Sequence, residues 1–190
     1  PMSLVNGAAG IATGFSTCIY PYATRELIDA SLSILRGTAA PLLTPSFRDW
    51  QGTIVMGDGF FTSTGQHQRV SNTKLKVRSL PIGTFPSTFQ TTLVKLKAKG
   101  LVKGFEVDHH EAGPQYLITF HANCDMVKTL GLVKKHSLTN MHLLNQYGVL
   151  TKYDAPETIL QDYITFKLSV IEARLRFQIH SIETSEEQDE

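Results

Sequence analysis

The stretch TKLKVRSL at residues 73–80 alternates polar or basic side chains with apolar ones. Such alternation is the period of a β-strand with one buried face, so it predicts a strand whose basic side chains share one side. Similar patterns and turn signals predict further strands. Together the predicted strand regions are 52–64, 67–80, 103–109, 115–121, 132–136 and 139–145.

Helical spacing flanks these strands in three places. Residues 24–36 carry apolar side chains at helical spacing and stop at Gly37, a typical helix end. The sequence STFQ at 87–90 has the form of a capping box and predicts a helix that ends at Gly100. A second capping signal, DAPE, begins the longest predicted helix at 155–182.

Strands and helices do not alternate as regular βαβ units, so the predicted class is α+β, with a mixed or antiparallel sheet and packed helices. Residues 1–154 are predicted to form one domain. The helix at 155–182 is longer than packing on a compact core requires, and its length predicts an arm. The acidic residues near the end predict a disordered tail at 183–190.

Composition restricts the class of protein. Of 190 residues, 42% are hydrophobic and 18% charged, the balance of a soluble globular protein. No run reaches the ~18 apolar residues of a membrane span, so no membrane partner is expected. The start lacks the basic region of a signal peptide. Cys18 and Cys124 have no disulfide-framework spacing, which indicates a reducing compartment.

Charge is segregated although the formal net charge is only +1. No acidic residue lies between Asp58 and Glu106, and none lies between Asp125 and Asp154, whereas both segments contain several lysines. Two such segments indicate a polyanionic partner, most often nucleic acid. A solvated basic face is the other interpretation, and charge alone leaves the two open.

The motifs for small-ligand chemistry are weak. The glycine-rich residues 6–14 lack the Lys-Ser/Thr of a phosphate-binding loop and miss the dinucleotide spacing. A metal site from His109, His110, Glu111 and His121 is disfavoured, because no zinc-type spacing accompanies them; polar hairpin residues are the better interpretation. No nucleophile elbow is present. The residues alone therefore lead to a nucleic-acid-binding α+β domain.

Four sequence blocks, in order, resemble type IIA DNA topoisomerases of the eukaryotic and large-virus branch. They are PMSLVNGAAGIATGFS at 1–16, PSFRDWQGTI at 45–54, LPIGTF at 80–85, and SLTNMHL at 137–143 followed by KYDAPETIL at 152–160. In the third block Phe85 stands where the family has tryptophan. The resemblance implies the tower region of the DNA cleavage core, followed by the start of a coiled-coil arm helix.

The same resemblance implies a mechanical role. Ile11 matches an isoleucine that wedges between base pairs of duplex DNA, although a core isoleucine is the alternative for that residue alone. The DNA-contacting stretch of relatives matches Lys134, Lys135, His136, Ser137, Thr139 and Asn140. None of the six tyrosines lies in a matching catalytic motif, so no catalytic residue is carried over.

For the intact enzyme the resemblance implies ATP-dependent strand passage, Mg²⁺ and ATP as cofactors, and a homodimer with the rest of the topoisomerase chain. This chain alone is expected to bind no cofactor or metal and to be inactive. The implied location is the nucleus in a cellular eukaryote, and otherwise an intracellular one, a viral factory or the cytoplasm. The alternative is a free-standing, non-enzymatic DNA-bending or scaffold protein built on the same domain.

Overall fold

A computed structural model describes residues 1–110, 113–122 and 124–189, and the side chains of all of these except 185–189. The helices are α1 Met2–Val5, α2 Thr24–Leu35, α3 Pro86–Ala98, α4 Met126–Thr129 and α5 Pro156–Asp189. The strands are β1 Ala8–Ala12, β2 Phe15–Ile19, β3 Thr53–Gly57, β4 Phe60–Thr64, β5 His67–Arg69, β6 Lys74–Val77, β7 Val102–His110, β8 Gly113–Phe120, β9 Val133–Ser137, β10 Met141–Leu144 and β11 Leu150–Tyr153.

The predicted α+β class is confirmed, and every strand pair in the described residues is antiparallel. The described part of the chain forms four sheets, with the orders β1-β2, β10-β11, β3-β4-β9 and β5-β6-β8-β7. The alternation that predicted β6 is present: Leu75 and Val77 are buried, whereas Lys74 is exposed on the other side. No helix among the described residues is long and apolar enough to cross a bilayer.

The chain divides into two compact units, whereas the sequence predicted one domain over 1–154. The first unit contains Pro1–Ser46 and the residues from Leu138 on, and the second is Phe47–Ser137. The first unit joins two distant stretches of chain because β10 contacts β2 and α5 contacts α2, whereas β9 pairs with β4 inside the second unit. Each unit therefore has a hydrophobic core of its own.

The first unit packs the N-terminal part of α5 against α2 and the two hairpins. Its core includes Leu4, Ile19, Leu27, Met141 and Leu160, all of them buried. Burying a side chain of this size stabilises the folded state by about 1.5–3 kcal/mol relative to leaving it exposed. Beyond Ile164 the apolar side chains of α5 are partly or largely exposed, and Phe177 is 71% exposed.

The second unit packs α3 on one face of its four-stranded sheet. Phe89 and Leu93 of α3 join Val77, Tyr116 and Ile118 of the sheet in a buried cluster. The rings of Phe89 and Tyr116 meet edge to face, with centroids 4.9 Å apart. The opposite face of this sheet carries the polar and basic side chains of β6.

Two element ends differ from the predicted ones. The capping box at 87–90 does not form, since α3 begins at Pro86 with Phe85 as N-cap and no side-chain cap bond. Proline is favoured in the first helical turn because it has no N–H to leave unpaired. The helix α5 continues to Asp189, through most of the segment predicted to be a disordered tail. Glutamate and glutamine are good helix formers, and extending an existing helix costs little. Glu190 lies outside the described residues.

Candidate nucleic-acid interface

An exposed isoleucine lies near the tip of the hairpin β1–β2. Ala12 pairs with Phe15, so Thr13 and Gly14 form a two-residue turn in which Gly14 has a φ of 81°. Glycine adopts this left-handed conformation without the steric cost that other residues incur. One position before Ala12, Ile11 is 94% exposed. This exposure excludes the alternative that Ile11 is a core residue.

The apolar surface of the hairpin extends beyond Ile11. Phe15 is 56% exposed, and its ring meets that of His142 edge to face at 6.3 Å. A shallow cavity of about 240 Å³ lies here, lined by residues that include Ile11, Phe15, His142 and Leu150. The hairpin thus presents a β-branched side chain with few rotamers beside an apolar hollow and an aromatic ring.

Asn140 braces this hairpin with its side chain and its backbone. Its Nδ2 donates to Ser16 Oγ at 2.9 Å, and its carbonyl oxygen accepts from the Cys18 amide at 2.7 Å. Ser16 is the cross-strand partner of Ile11 in the β1–β2 register. The side chain of Asn140 is therefore committed to holding the strand that pairs with Ile11.

His142 adds a second brace. Its backbone amide donates to Thr17 Oγ1 at 3.0 Å, and its ring Nδ1 lies 3.1 Å from Asn140 Oδ1 in a hydrogen bond. No sequence signal singled out His142, Ser16 or Thr17 as parts of the site, because the contacts that join them link residues about 125 positions apart.

The predicted DNA-contacting residues from Lys134 to Ser137 lie on β9, in the second unit. Lys134, Lys135 and Ser137 are exposed, whereas His136 is only 7% exposed. The His136 ring stacks on Phe61 with centroids 4.6 Å apart, and its Nε2 shares a 2.8 Å hydrogen bond with the buried Ser63 Oγ. The His136 side chain, which the resemblance includes among the DNA contacts, thus packs inside the unit.

The electrostatics of His136 agree with this placement. Burial lowers the pKa of its ring below the usual 6.5, and the positive charge of Lys134 lowers it further. The ring is therefore neutral at physiological pH. It contributes packing and a hydrogen bond, and the positive charge of β9 comes from the two lysines alone.

The two lysines are held at the surface by different contacts. Lys134 Nζ donates to the Gly83 carbonyl oxygen at 2.9 Å, in the loop that follows β6. Lys135 Nζ lies 3.5 Å from the centroid of the Phe60 ring, a cation–π contact. Thr139 and Asn140 belong to the first unit, and Thr139 is exposed.

The metal hypothesis concerns the histidine-rich hairpin formed by β7 and β8. Among the described residues no cluster of three or more His, Cys, Asp or Glu could hold a metal ion. His110 Nε2 lies 3.0 Å from Asp108 Oδ2 on an exposed part of β7. Glu111, part of the metal hypothesis, lies outside the described residues.

Three of the tyrosines with a raised pKa are poorly suited to nucleophilic attack. Burial raises the pKa of Tyr22 and of Tyr116, and neither hydroxyl is exposed. Burial, with a hydrogen bond to Cys18, raises the pKa of Tyr20 to about 12. A nucleophile is ordinarily activated by a lowered pKa or an adjacent base.

Comparisons with known proteins agree on one family. The family model for the A subunit of DNA gyrase/topoisomerase IV matches residues 1–190. "DNA topoisomerase 2" of Arabidopsis thaliana is 30% identical over 198 residues, which cover 96% of this chain and 13% of that protein. The "DNA topoisomerase medium subunit" of Enterobacteria phage T4 is 24% identical, covering 97% of this chain and 44% of that protein.

The fold has a counterpart among solved structures. The crystal structure of the Plasmodium falciparum topoisomerase II DNA-binding, cleavage and re-ligation domain superposes with a TM-score of 0.89 at 23% identity. The match covers 96% of this chain and 26% of that one. The chain thus has the fold of part of that domain, and it spans a minor part of the relatives that it matches.

Proposed function

Since this chain belongs to the DNA gyrase/topoisomerase IV family, we propose that it holds and bends the duplex DNA segment that a type II topoisomerase cleaves. The observation that carries the proposal is the 94% exposure of Ile11 on a two-residue-turn hairpin. Exposure of this side chain to water does not stabilise the fold, whereas insertion into a DNA base step would move it to an apolar environment.

The wedge works by unstacking one base step. A stiff apolar side chain that enters between base pairs kinks the duplex, at a cost of a few kcal/mol for unstacking. Bending a site of 20–30 base pairs adds about 1–6 kcal/mol. Contacts that the bent duplex can reach must offset these costs. The hydrogen bonds from Asn140 and His142 hold the hairpin in position while Ile11 enters the base step.

The backbone contacts come from the β9 surface and from Thr139, which lies just after it. Lys134 and Lys135 supply charge, and Ser137 and Thr139 supply hydroxyl groups for phosphate oxygens. Contacts of these types fix the position of a duplex without reading its sequence. The domain is therefore expected to bind duplexes of unrelated sequence with similar affinity, and to bind them less tightly as salt concentration rises.

In the intact enzyme a tyrosine outside this chain would carry the cleavage chemistry, and Mg²⁺ and ATP would act in other regions. The exposed apolar side chains of α5 beyond Ile164 support its role as the first part of a coiled-coil arm in a homodimer. The enzyme would work in the nucleus of a cellular eukaryote, and otherwise inside the cell, in a viral factory or the cytoplasm. Relatives several times longer than this chain favour this role over the free-standing alternative.

Bending by the chain itself tests the proposal. A duplex of about 30 base pairs, the size of site for which bending energies are known, carries a fluorescence donor at one end and an acceptor at the other. Saturation with the wild-type chain should shorten the distance between the ends and raise energy transfer, for two unrelated sequences alike. Binding without any change in energy transfer would refute the bending role.

A further inference from the structure

A cleft of about 770 Å³ lies in the second unit, on the face of the four-stranded sheet opposite α3. Its walls include Trp50, the loop around Gly83, and the side chains of Lys76 and Arg78 in and just after β6. Trp50 is half-buried and fixed in place, because its Nε1 donates to the Leu80 carbonyl oxygen at 2.8 Å. The cleft therefore has one wall fixed by a hydrogen bond and two cationic side chains in its lining.

The two cations have no acidic partner among the described residues. The ion pairs there are Arg48 with Asp49, His110 with Asp108, and Arg176 with Glu172. The Nη2 atom of Arg78 donates to the amide oxygen of Gln68, at 3.3 Å. The charges of Lys76 and Arg78 are thus available to a ligand, since an amide oxygen does not neutralise a guanidinium group.

One carboxylate lines the cleft, and two others lie on β7, on the far side of β8 from β6. Asp49 lines the cleft, but its Oδ2 lies 3.7 Å from Arg48 Nε. Glu106 and Asp108 are on β7, which is separated from β6 by β8. The β8 neighbours of Lys76 and Lys74 in the register, Leu117 and Thr119, are uncharged. An anion along β6 therefore meets two cations and uncharged β8 neighbours, with the carboxylate of Asp49 elsewhere in the cleft lining.

The cleft is continuous with the β9 surface. Lys134 of β9 donates to the carbonyl oxygen of Gly83, and Gly83 is part of the cleft wall. A ligand that contacts Lys134 can therefore continue into the cleft mouth. The segment between Asp58 and Glu106, which supplies Lys76, Arg78 and the loop around Gly83, holds no acidic residue. Continuity of this kind favours a long polyanion over a small one.

We propose that this cleft is a second phosphate-binding site, in which Lys76 and Arg78 bind the backbone of the same duplex DNA that β9 contacts. This inference rests on the proposed function and adds its own residues to it. The planar guanidinium of Arg78 can donate two hydrogen bonds to one phosphate, whereas Lys76 acts as a point charge. Trp50 forms the wall against which the backbone lies.

The salt dependence of binding tests the site with a matched control. The variant Lys76→Gln with Arg78→Gln removes two charges from the cleft. The control Lys95→Gln with Lys99→Gln removes two charges from the exposed side of α3 and its C-cap, on the other face of the sheet. In the cleft variant, the slope of log binding constant against log salt should become shallower by about 1.8, or roughly 0.9 for each phosphate contact. The control should keep the wild-type slope.

Trp50 is the single tryptophan of the chain, so its fluorescence emission reports on the cleft itself. Duplex DNA should change the emission of Trp50 with the same midpoint as the anisotropy of labelled DNA, and the change should be lost in the cleft variant. If the wild-type chain binds and bends DNA while the cleft variant keeps both slope and emission change, only this inference fails. If the wild-type chain binds no DNA, the proposed function fails first. An emission change with poly-glutamate but not with DNA would assign the cleft to an acidic polypeptide and overturn the inference.

Discussion

His136 shows how a single position on a strand can depart from its neighbours. The sequence KKHS at 134–137 offers four polar residues to a DNA backbone, and the resemblance includes all of them. The structure instead stacks the His136 ring on Phe61 and bonds it to Ser63, because the pairing of β9 with β4 sets His136 opposite Phe61 on the buried face of the sheet. Lys134 remains exposed because its long stem carries the ammonium group out to Gly83.

The buried ring makes stability depend on pH. The pKa of His136 is lower in the folded chain than the ordinary 6.5, so the unfolded chain takes up a proton first as pH falls. The contribution of the neutral His136 ring to the free energy of unfolding is therefore fully present above about pH 6.5 and is lost progressively below it. The variant His136→Gln keeps a hydrogen-bonding group and removes the titration.

The expected result is a melting temperature that falls less between about pH 7 and about pH 5 in His136→Gln than in the wild type. Thermal unfolding followed by circular dichroism over this pH range measures it. Identical pH dependence in the two proteins would show that the His136 ring is not held neutral inside the unit.

Among the elements, those with a clear period were predictable from sequence and those made by distant contacts were not. The predicted helix at 24–36 corresponds to α2, and the alternating segment at 73–80 contains β6. The hairpin β1–β2 was missed because AAGIA and FSTCI have no alternation of polar and apolar residues. Its partners Asn140 and His142 come from the other end of the first unit, and no local pattern encodes such a contact.

In the candidate site, too, the sequence predicted some residues, and distant contacts determined the rest. The resemblance supplied Ile11 and the β9 lysines, and all three side chains are exposed in the structure. The bracing role of Asn140 and the inward ring of His136 depend on pairing and register, which the sequence alone does not specify.

The stability of the hairpin β1–β2 depends on the side-chain hydrogen bonds of Asn140. The variant Asn140→Ala removes the bonds to Ser16 and to the His142 ring but keeps the backbone bond from Cys18. Two net hydrogen bonds correspond to about 1–3 kcal/mol of stability. We expect a loss in that range by denaturant unfolding, and weaker DNA bending at saturating protein.

The control is Gln146→Ala, an exposed residue in the turn between β10 and β11. It should leave both stability and bending at wild-type values. A variant Asn140→Ala that bends DNA as the wild type does would mean that the wedge hairpin needs no brace.

At the scale of the whole molecule, the proposed role of this chain is to hold and bend DNA, with the cleavage chemistry carried elsewhere in the intact enzyme. Tyr22 and Tyr116 have buried hydroxyls, and their pKa values are raised. We therefore expect the purified chain to leave supercoiled plasmid DNA intact and supercoiled in the presence of Mg²⁺ and ATP. Denaturing electrophoresis should detect no protein covalently joined to labelled DNA. A covalent adduct formed by this chain alone would contradict the division of labour proposed for the intact enzyme.

In the proposed mechanism Ile11 bends the duplex, whereas the basic surface binds it. Energy transfer across an end-labelled duplex, measured at saturation with wild type and with Ile11→Ala, separates the two roles. We expect the variant to lose most of the bend, while its affinity falls ten-fold or less, about 1.4 kcal/mol. Its melting temperature should stay near the wild-type value, whereas Ile159→Ala in the core should lose about 2–5 kcal/mol of stability. An Ile11→Ala protein that bends DNA as fully as the wild type would show that Ile11 is not the wedge.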